Sequence, residues 1–400
     1  MPATPPPFTR RTSWDLSENA LSRDLSRARA ESRPLVDLTE SNPTRAVASL
    51  REAELVALLG DVRGAAYAPA ALGHPDARAA VARYYADRGL AVAAGCVCLS
   101  ASTSEAYGWI FKLLCERGDE VLVPAPSYPL FSFLAALEDV ALVPYPLDRA
   151  RGFRVDLDAL EASVGPRTRA IVLVHPNNPT GSFLRRDEAA AIERLARRRG
   201  LALIVDEVFG DYAHGPLAHD LLPSFAGQRE ALTFVLSGLS KVVALPQVKL
   251  GWVLTLGPAE IAAEALARLE VIADTYLSVS TPVQLALPEI LARRGPIQAA
   301  IKARTAANLA ALDQAIEALG AQAPVRRLPV DGGWCATLEV PRTRDEDAWV
   351  ALLVHEEGVI VHPGYFFDFA EEGLLVVSLL PEEQAFRGAI ARVLQRVAEG

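Results

Sequence analysis

The chain has 400 residues, of which 51% are hydrophobic and 22% are charged, and its formal net charge is −9. This length exceeds what one core usually supports, so we expect a large α/β unit and a smaller one. The acidic balance argues against nucleic acid or an anionic membrane as partner, because both need a basic surface. No apolar run approaches the roughly 18 residues of a membrane span.

The N-terminus and the cysteines indicate a cytoplasmic protein. The first 14 residues contain no apolar segment of the kind that a signal peptide needs. Cys96 and Cys98 lie two apart on a predicted strand, which is closer than metal-binding cysteines usually stand. With Cys115 and Cys335 they predict free thiols in a reducing compartment and no metal site.

The first half of the chain predicts helices that alternate with buried strands. Residues 2–14 predict an extended arm and residues 15–33 a helix, and a loop follows at 38–44. Helices are predicted at Asp76–Arg88 and Glu105–Glu116. Strands are predicted at Glu120–Pro124, Val140–Pro144, Ala170–Val174, Leu201–Val205, Phe234–Leu236 and Gly251–Leu256. Since these runs are continuously apolar, both faces should be covered, as in a mostly parallel central sheet with flanking helices.

The pattern changes after about residue 295. Ile297–Ala318 predicts one long helix. Strands follow at 334–340, 359–362 and 374–379, and a terminal helix ends the chain. This part of the chain therefore predicts a smaller α+β domain.

Polar residues follow four of the predicted strands. They are Tyr128, Asn178, Asp206 and Lys241. In open α/β sheets the ligand lies outside the carboxyl ends of the strands, so these four residues are candidates for one site.

Asp206 and Lys241 carry the most chemical information of the four. An acid at the end of a buried strand needs a partner. Asp206 is therefore a capping or salt-bridged carboxylate, or it keeps a buried ring nitrogen protonated. Lys241 is one of only four lysines among 40 basic residues, in an apolar stretch. Either it is a surface cation, or it is a desolvated lysine that acts as a nucleophile, which arginine cannot do.

A Ser/Thr-rich turn at Ser100–Glu105 leads into the helix predicted at Glu105–Glu116. Free N–H groups and hydroxyls at a helix N-terminus form an anion site. The alternative is an ordinary Ser/Thr cap without a ligand.

Four motifs in order identify a resemblance. They are His175-Pro-Asn-Asn-Pro-Thr-Gly181, Asp206-Glu-Val208, Ser240-Lys241 and Gly251-Trp252. Over roughly residues 35–380 the chain resembles the aminotransferase family of fold-type I pyridoxal-phosphate (PLP) enzymes, the class I/II group that includes aspartate aminotransferase. The resemblance implies PLP as cofactor. It divides the chain into an N-terminal arm and part of the small domain (1–60), a large PLP-binding domain (61–295) and a C-terminal small domain (296–400).

The resemblance implies a role for each site residue. Lys241 would hold the cofactor as a Schiff base and shuttle the proton, and Asp206 would pair with the pyridinium nitrogen. Asn178 would bind the ring oxygen, and Tyr128 would stack on the ring unless it is ordinary aromatic core. The residues implied to hold the phosphate or to lie beside the lysine are Ser102, Thr103, Ser104, Ser240, Lys249 and Tyr67. Tyr67 matches a tyrosine that reaches across a dimer interface, which implies a homodimer with shared active sites.

The chain departs from the family pattern at four positions. Lys249 and Gly238 stand where the family has a phosphate-binding arginine and a serine, and Ser237 or Ser240 is a candidate to replace that serine. Phe209 replaces a tyrosine, for which Tyr212 is a candidate substitute.

The fourth departure concerns the substrate. Val376 replaces the arginine that binds the substrate α-carboxylate in the family. A carboxylate against valine would be a buried unpaired charge, so another cation takes over or the substrate lacks that group. Arg45 is a candidate cation.

The leading hypothesis is an aminotransferase that acts on an amino acid or related amine with ping-pong kinetics. A PLP lyase or decarboxylase on the same scaffold is the alternative, because sequence does not reveal which Cα bond is aligned with the ring. A non-catalytic PLP-fold sensor is a third reading, but the chain has no basic DNA-binding motif.

Overall fold

The structure, a computed structural model, describes residues 8–18, 20–46, 52–320 and 323–400. Its strands are β1 (Val36–Asp37), β2 (Val97–Ser100), β3 (Glu120–Ala125), β4 (Ala141–Asp148), β5 (Arg154–Val155), β6 (Thr168–Val174), β7 (Ala202–Asp206), β8 (Thr233–Gly238), β9 (Gly251–Leu256), β10 (Arg326–Arg327), β11 (Cys335–Glu339), β12 (Val359–Ile360), β13 (His362–Pro363) and β14 (Leu374–Ser378). Its helices are α1 (Ala20–Ala30), α2 (Pro43–Ala46), α3 (Glu52–Leu59), α4 (Pro75–Ala86), α5 (Thr103–Leu114), α6 (Leu130–Leu137), α7 (Leu157–Ala162), α8 (Arg186–Arg199), α9 (Leu239–Val242), α10 (Ala259–Tyr276), α11 (Thr281–Ala292), α12 (Arg294–Ala318), α13 (Glu346–Leu352) and α14 (Glu383–Glu399).

A central sheet of eight strands has the order β2-β9-β8-β7-β6-β3-β4-β5. The strands β4, β3, β6, β7 and β8 run parallel to one another, whereas β9 runs antiparallel to both β8 and β2. The predicted mostly parallel sheet is therefore confirmed. The aliphatic runs specify it because β-branched and leucine side chains fill both covered faces.

Helices cover both faces of this sheet. On one face Val205 and Val235 pack with residues of α4, α8 and α11. On the other face Ile204 and Leu236 pack with residues of α5, α6 and α10. Because side chains alternate along a strand, this division also tells which way each residue at a strand end points.

A second sheet has four antiparallel strands in the order β10-β11-β14-β13. One of its faces packs against residues of α1, α12, α13 and α14. The short parallel pair β1–β12 joins the N-terminal segment to this part of the chain. The smaller α+β unit predicted from both ends of the chain is thus observed, while the boundaries at 60 and 295 stay a prediction.

Three local predictions change. The predicted arm lies partly outside the described residues, and its remainder contains a 3-10 turn at Arg10–Thr12, after which Trp14 packs on Phe133. The helix predicted over 15–33 is α1, which is shorter. Cys96 ends a 3-10 turn and only Cys98 lies in β2, so the prediction that both share a strand is wrong.

All four cysteines are free thiols. Among the helices of the described ranges, none has both the length and the apolar character that crossing a bilayer requires.

Candidate active site

The sheet brings the four candidates at strand ends to one edge. Tyr128 follows β3, Asn178 follows β6, Asp206 ends β7 and Lys241 follows β8. The order β8-β7-β6-β3 makes these strands parallel neighbours. Their carboxyl ends, and the residues that follow them, therefore line one crevice.

Lys241 is largely buried among aromatic rings. Its Nζ lies 4.8 Å from the centre of the Trp334 ring and 5.4 Å from that of Phe209. Burial lowers the pKa of Lys241 to about 8, against the opposing influence of Cys335 and Asp206. Because Lys241 is enclosed by these rings and not exposed, the surface-cation alternative does not fit, and no carboxylate of the described residues forms an ion pair with it.

Asp206 is the matching group of opposite charge. Burial raises its pKa to about 6, while a hydrogen bond from Val208 N–H, the Tyr107 hydroxyl and the charge of Lys241 act in the other direction. The Val208 N–H donates to Oδ1 at 3.1 Å, and the Tyr107 hydroxyl donates to Oδ2 at 3.4 Å. The carboxylate thus caps a turn, yet within the described chain it has no cation within 4.0 Å.

The side chains of Tyr128 and Asn178 are left without a hydrogen-bond partner among the described residues. Tyr128 is 44% exposed, so it is not ordinary aromatic core. Burial and the charge of Asp206 raise its pKa, which indicates that the two side chains are near each other. Asn177 binds the Pro126 carbonyl at 3.2 Å and Thr180 at 2.8 Å. The Asn178 side chain, in contrast, has no hydrogen bond to any described residue.

The Ser/Thr-rich turn forms the N-terminus of α5. Ser102 is the N-cap, and its Oγ accepts a hydrogen bond from Glu105 N–H at 3.1 Å. The N–H groups of Thr103 and Ser104 belong to the first turn and lack partners inside the helix. Ser102 is therefore an ordinary cap, while Thr103 and Ser104 keep N–H groups for an anion.

Gly251, at the start of β9, lies directly against this turn. A Cβ atom there would approach the Ser102 carbonyl carbon and the Thr103 nitrogen at 3.2 Å. The glycine therefore allows β9 to approach the N-terminus of α5 closely.

The same close packing explains why position 238 has no side chain. A Cβ atom on Gly238 would lie 3.0 Å from the Gly251 Cα and 3.1 Å from the Leu250 carbonyl oxygen. Ser237 alternates with Gly238 and points to the α4 side of the sheet, as Val235 does. Ser237 therefore does not replace the missing serine, and the part-buried Ser240 is the remaining candidate.

Two further departures have a defined geometry. Lys249 precedes the Leu250-Gly251 contact, is exposed and has no ion-pair partner among the described residues. Its charge is thus not neutralised by a carboxylate of the described residues. Phe209 packs on Trp334 at 5.2 Å, and the Tyr212 hydroxyl donates to the main-chain carbonyl of Lys241 at 2.5 Å. Because that hydroxyl is engaged by the main chain, the suggestion that Tyr212 replaces the missing tyrosine is wrong.

Val376, which the resemblance places at the family arginine, occupies the second sheet. Val376 lies in β14 and is 1% exposed. Arg45 has a side chain that is 75% exposed and paired with Glu40 at 3.1 Å. Arg45 is therefore not a buried cation beside Val376.

Tyr67 lies away from this crevice in its own chain. It is 83% exposed and lines a surface depression with Trp109, Leu277 and Gln284. An exposed tyrosine of this size is compatible with a contact to a second subunit.

Sequence reasoning missed Trp334, Cys335 and Tyr107. Trp334 and Cys335 come from the second sheet, and Tyr107 comes from the inner face of α5. The pair Gly332-Gly333 just before a predicted strand was the one available signal, since adjacent glycines allow a close approach of main chains.

These residues together fit one kind of group. A buried carboxylate without a cation suits a protonated ring nitrogen, and a largely buried lysine with a lowered pKa suits an aldehyde. The N-terminus of α5 with Lys249 suits a phosphate. The donor set of this chain therefore fits pyridoxal phosphate.

The comparisons with known proteins agree with this fit. The family model described as aminotransferase class I and II matches residues 33–391. Glutamate-pyruvate aminotransferase AlaA of Escherichia coli K12 is 31% identical over 230 residues, which are 56% of this chain and 56% of that protein. An alanine aminotransferase of Mycobacterium tuberculosis H37Rv is 32% identical over 191 residues, 48% of this chain and 44% of that protein. The matched segment thus spans about half the length of these curated relatives.

Solved structures match over nearly the whole chain. Alanine aminotransferase of Pyrococcus furiosus has a TM-score of 0.85 at 22% identity and covers 98% of this chain and 100% of its own. A mutant aspartate aminotransferase of Thermus thermophilus has a TM-score of 0.83 at 22% identity and covers 97% of this chain and 99% of its own. At these identities the likeness shows a shared fold.

Proposed function

Because the chain belongs to the aminotransferase class I and II family, we propose that it is a pyridoxal-phosphate-dependent aminotransferase that exchanges an amino group between an amine and a keto compound. The observation that carries this proposal is the pair formed by Lys241 and Asp206. Both are ionisable and largely buried, they influence each other's pKa, and neither has an ion-pair partner among the described residues. The comparisons give no support to a lyase or decarboxylase.

Lys241 is the residue that attaches the cofactor and moves the proton. When bound, pyridoxal phosphate supplies a ring that accepts the electron pair released as the substrate Cα loses its proton. Because burial lowers the pKa of Lys241 to about 8, its amine loses the proton far more readily near neutral pH than that of an ordinary lysine. That amine would attach the cofactor and, once the substrate amine has displaced it, would take the Cα proton.

The other residues hold the cofactor in place. Asp206 keeps the ring nitrogen protonated, and its carboxylate is positioned by Val208 N–H. Tyr128 would contact the ring, and Asn178 would bind the ring oxygen. The phosphate takes the N–H groups of Thr103 and Ser104, with Lys249 as counter-charge and Ser102 and Ser240 beside it.

The protein is proposed to act as a homodimer with shared sites in the cytoplasm. The 83% exposure of Tyr67 and the exposed apolar residues Val271 and Tyr276 of α10 support a subunit contact. Four free thiols suit a reducing compartment.

The substrates named for the relatives do not carry over to this chain. Alanine, glutamate and pyruvate each have a carboxylate beside the reacting carbon, and this chain has Val376 where the family places an arginine. The amine substrate is therefore proposed only as an amino acid or related amine.

Spectroscopy of the purified protein tests the proposal. The wild type should show the visible absorbance of a lysine-bound cofactor, and an amine substrate should convert it to the pyridoxamine form. Lys241→Ala should lose the lysine-bound spectrum, whereas Lys112→Ala, on the exposed side of α5, should keep it. Release of product without the pyridoxamine form would contradict transamination.

A further inference from the structure

Three residues stand side by side on the second sheet where the family arginine is missing. Thr337 of β11 and His362 of β13 are the direct cross-strand neighbours of Val376 in β14, one on each side. Directly opposed residues in antiparallel strands point to the same face. Thr337, Val376 and His362, named here the Thr-Val-His row, therefore form one continuous strip.

The strip faces the candidate active site rather than the interior of the small domain. Ala336 and Val377, which alternate with the row, pack into the core of the small domain. Cys335 lies two residues before Thr337, on the same face, and its thiol influences the pKa of Lys241. Two residues of a strand span about 7 Å, so Thr337 lies about 7 Å along β11 from Cys335, the residue of this face that influences Lys241.

Both polar members of the row lack partners. The Thr337 Oγ1 and the His362 Nδ1 are inaccessible to solvent, and neither has a hydrogen bond to a described residue. The His362 ring is stacked on Phe366, with centroids 4.8 Å apart and planes at 4°. Packing thus fixes the orientation of the His362 ring. Its Nδ1 has no hydrogen-bond partner among the described residues, so a ligand can supply one.

Two arginines of the described residues, Arg149 and Arg45, are already paired with carboxylates. Arg149, at the end of the row, is ion-paired with Glu339 of β11 and with Glu371. Arg45, on the loop whose Glu40 carbonyl binds Ser378, is paired with Glu40. Burial lowers the pKa of His362 to about 4, with Asp37 acting in the other direction, so the imidazole is neutral near pH 7.

We propose that Thr337 and His362 determine the substrate class by hydrogen-bonding an uncharged polar group on the substrate Cα, a hydroxymethyl or carboxamide, where the family binds a carboxylate. This inference rests on the proposed transamination. The hydroxyl and the imidazole each offer a donor or an acceptor, as such a group needs. A carboxylate in the same place would be a buried charge without a counter-charge.

The reaction with such a substrate is balanced by the cofactor alone. The substrate amine would replace Lys241 on the cofactor, which frees the lysine amine, and water would supply the carbonyl oxygen of the product. The amino group stays on the cofactor. Alaninol would give hydroxyacetone and alaninamide would give pyruvamide, and no external oxidant is needed.

A matched series of amines measures the preference. L-Alanine, L-alaninamide, L-alaninol and 2-aminopropane share the amine and a methyl group and differ in one substituent on Cα. The rate of conversion of the holoenzyme to its pyridoxamine form should be at least about 10-fold higher, at equal low concentration, for alaninamide or alaninol than for alanine. Calorimetric binding of lactamide and lactate gives a second measurement that does not depend on turnover.

Variants assign the preference to the row. Thr337→Val removes the hydroxyl at constant shape and should reduce the rate with alaninol or alaninamide about 2- to 10-fold, whereas Thr337→Ser should retain it. His362→Phe keeps a ring against Phe366 and should act in the same direction. Val376→Arg should raise the rate with alanine. Thr343→Val, on an exposed turn, is the matched control.

The outcomes separate the two proposals. If alanine reacts as fast as alaninol and alaninamide, or if lactate binds as tightly as lactamide, the inference is wrong while transamination stands. If Thr337→Val and His362→Phe fold but leave the ratios unchanged, the assignment to the row is wrong. If no amine converts the cofactor, the proposed function is wrong, and the lactamide–lactate comparison still decides what the row binds.

Discussion

Lys241 and Asp206 illustrate how burial turns ordinary residues into reactive ones. Each has its pKa moved toward neutrality chiefly by burial, and each is left without an ion pair among the described residues. Such a pair destabilises the cofactor-free protein, because both charged forms are poorly solvated. A ligand that supplies the opposite charge to each would relieve both.

Replacement of Asp206 by Asn tests its electrostatic role. Asp206→Asn keeps the shape and the hydrogen-bond acceptor for Val208 but removes the charge that holds the ring nitrogen protonated. We expect the rate of pyridoxamine formation to fall about 100-fold or more, with the lysine-bound spectrum still present. Asp187→Asn, whose side chain is 73% exposed, is the control. A rate within twofold of wild type would contradict the role.

The lowered pKa of Lys241 predicts a pH dependence of stability. In the folded cofactor-free protein its pKa is about 8, against 10.5 for the unperturbed side chain. Between these values the unfolded state binds more protons, so stability rises with pH. The melting temperature of the cofactor-free wild type should therefore rise relative to that of Lys241→Met as the pH increases from 8 to 10.5. A constant difference over this window would mean that the lysine is not desolvated.

The strand β9 couples two parts of the candidate site. It runs antiparallel between β2 and β8, and its first residue contacts the turn that starts α5. The phosphate site therefore depends on a contact between main chains, and side chains at this point would disturb it.

The substitution Gly251→Ala tests this dependence. Its Cβ would meet main-chain atoms of Ser102 and Thr103 at 3.2 Å, which cannot move independently of α5. We expect a loss of about 1–3 kcal/mol in the free energy of unfolding and weaker cofactor binding. Gly388→Ala, where a Cβ has open space in α14, should instead be neutral or slightly stabilising. Chemical denaturation and cofactor titration measure both effects, and equal behaviour of the two variants would refute the contact.

Sequence reasoning located the elements of the central sheet better than the second sheet. The residues at the ends of β7 and β8 were predictable because aliphatic runs mark buried strands and the next polar residue marks the edge of the sheet. The row formed by Thr337 and His362 was not predictable, because their position beside Val376 depends on the register of β11, β13 and β14. Gly238 looked like a lost ligand in the sequence, and only the contact with Gly251 explains it.

At the level of the whole protein, the exposure of Tyr67 predicts that active sites are shared. Mixing Tyr67→Phe with Lys241→Ala should create some dimers in which one site has both intact residues. If Tyr67→Phe alone weakens cofactor binding, the mixture should recover more activity than the sum of the separate variants. The assembly state, measured by analytical ultracentrifugation, should be a dimer. A monomer, or a mixture without recovery, would rule out shared sites.

The pairing of β2 with β9 also has a consequence for how the protein is made. The two strands pair although about 150 residues separate them in the chain, from Val97–Ser100 to Gly251–Leu256. Contacts of such long sequence separation form slowly, and a ribosome releases the chain from its N-terminal end. The N-terminus of α5 therefore lacks its contact with β9 until well over half of the chain has been synthesised. Cofactor capture is accordingly expected only after β9 has been synthesised, and a nascent chain released before β9 should be unable to retain the cofactor.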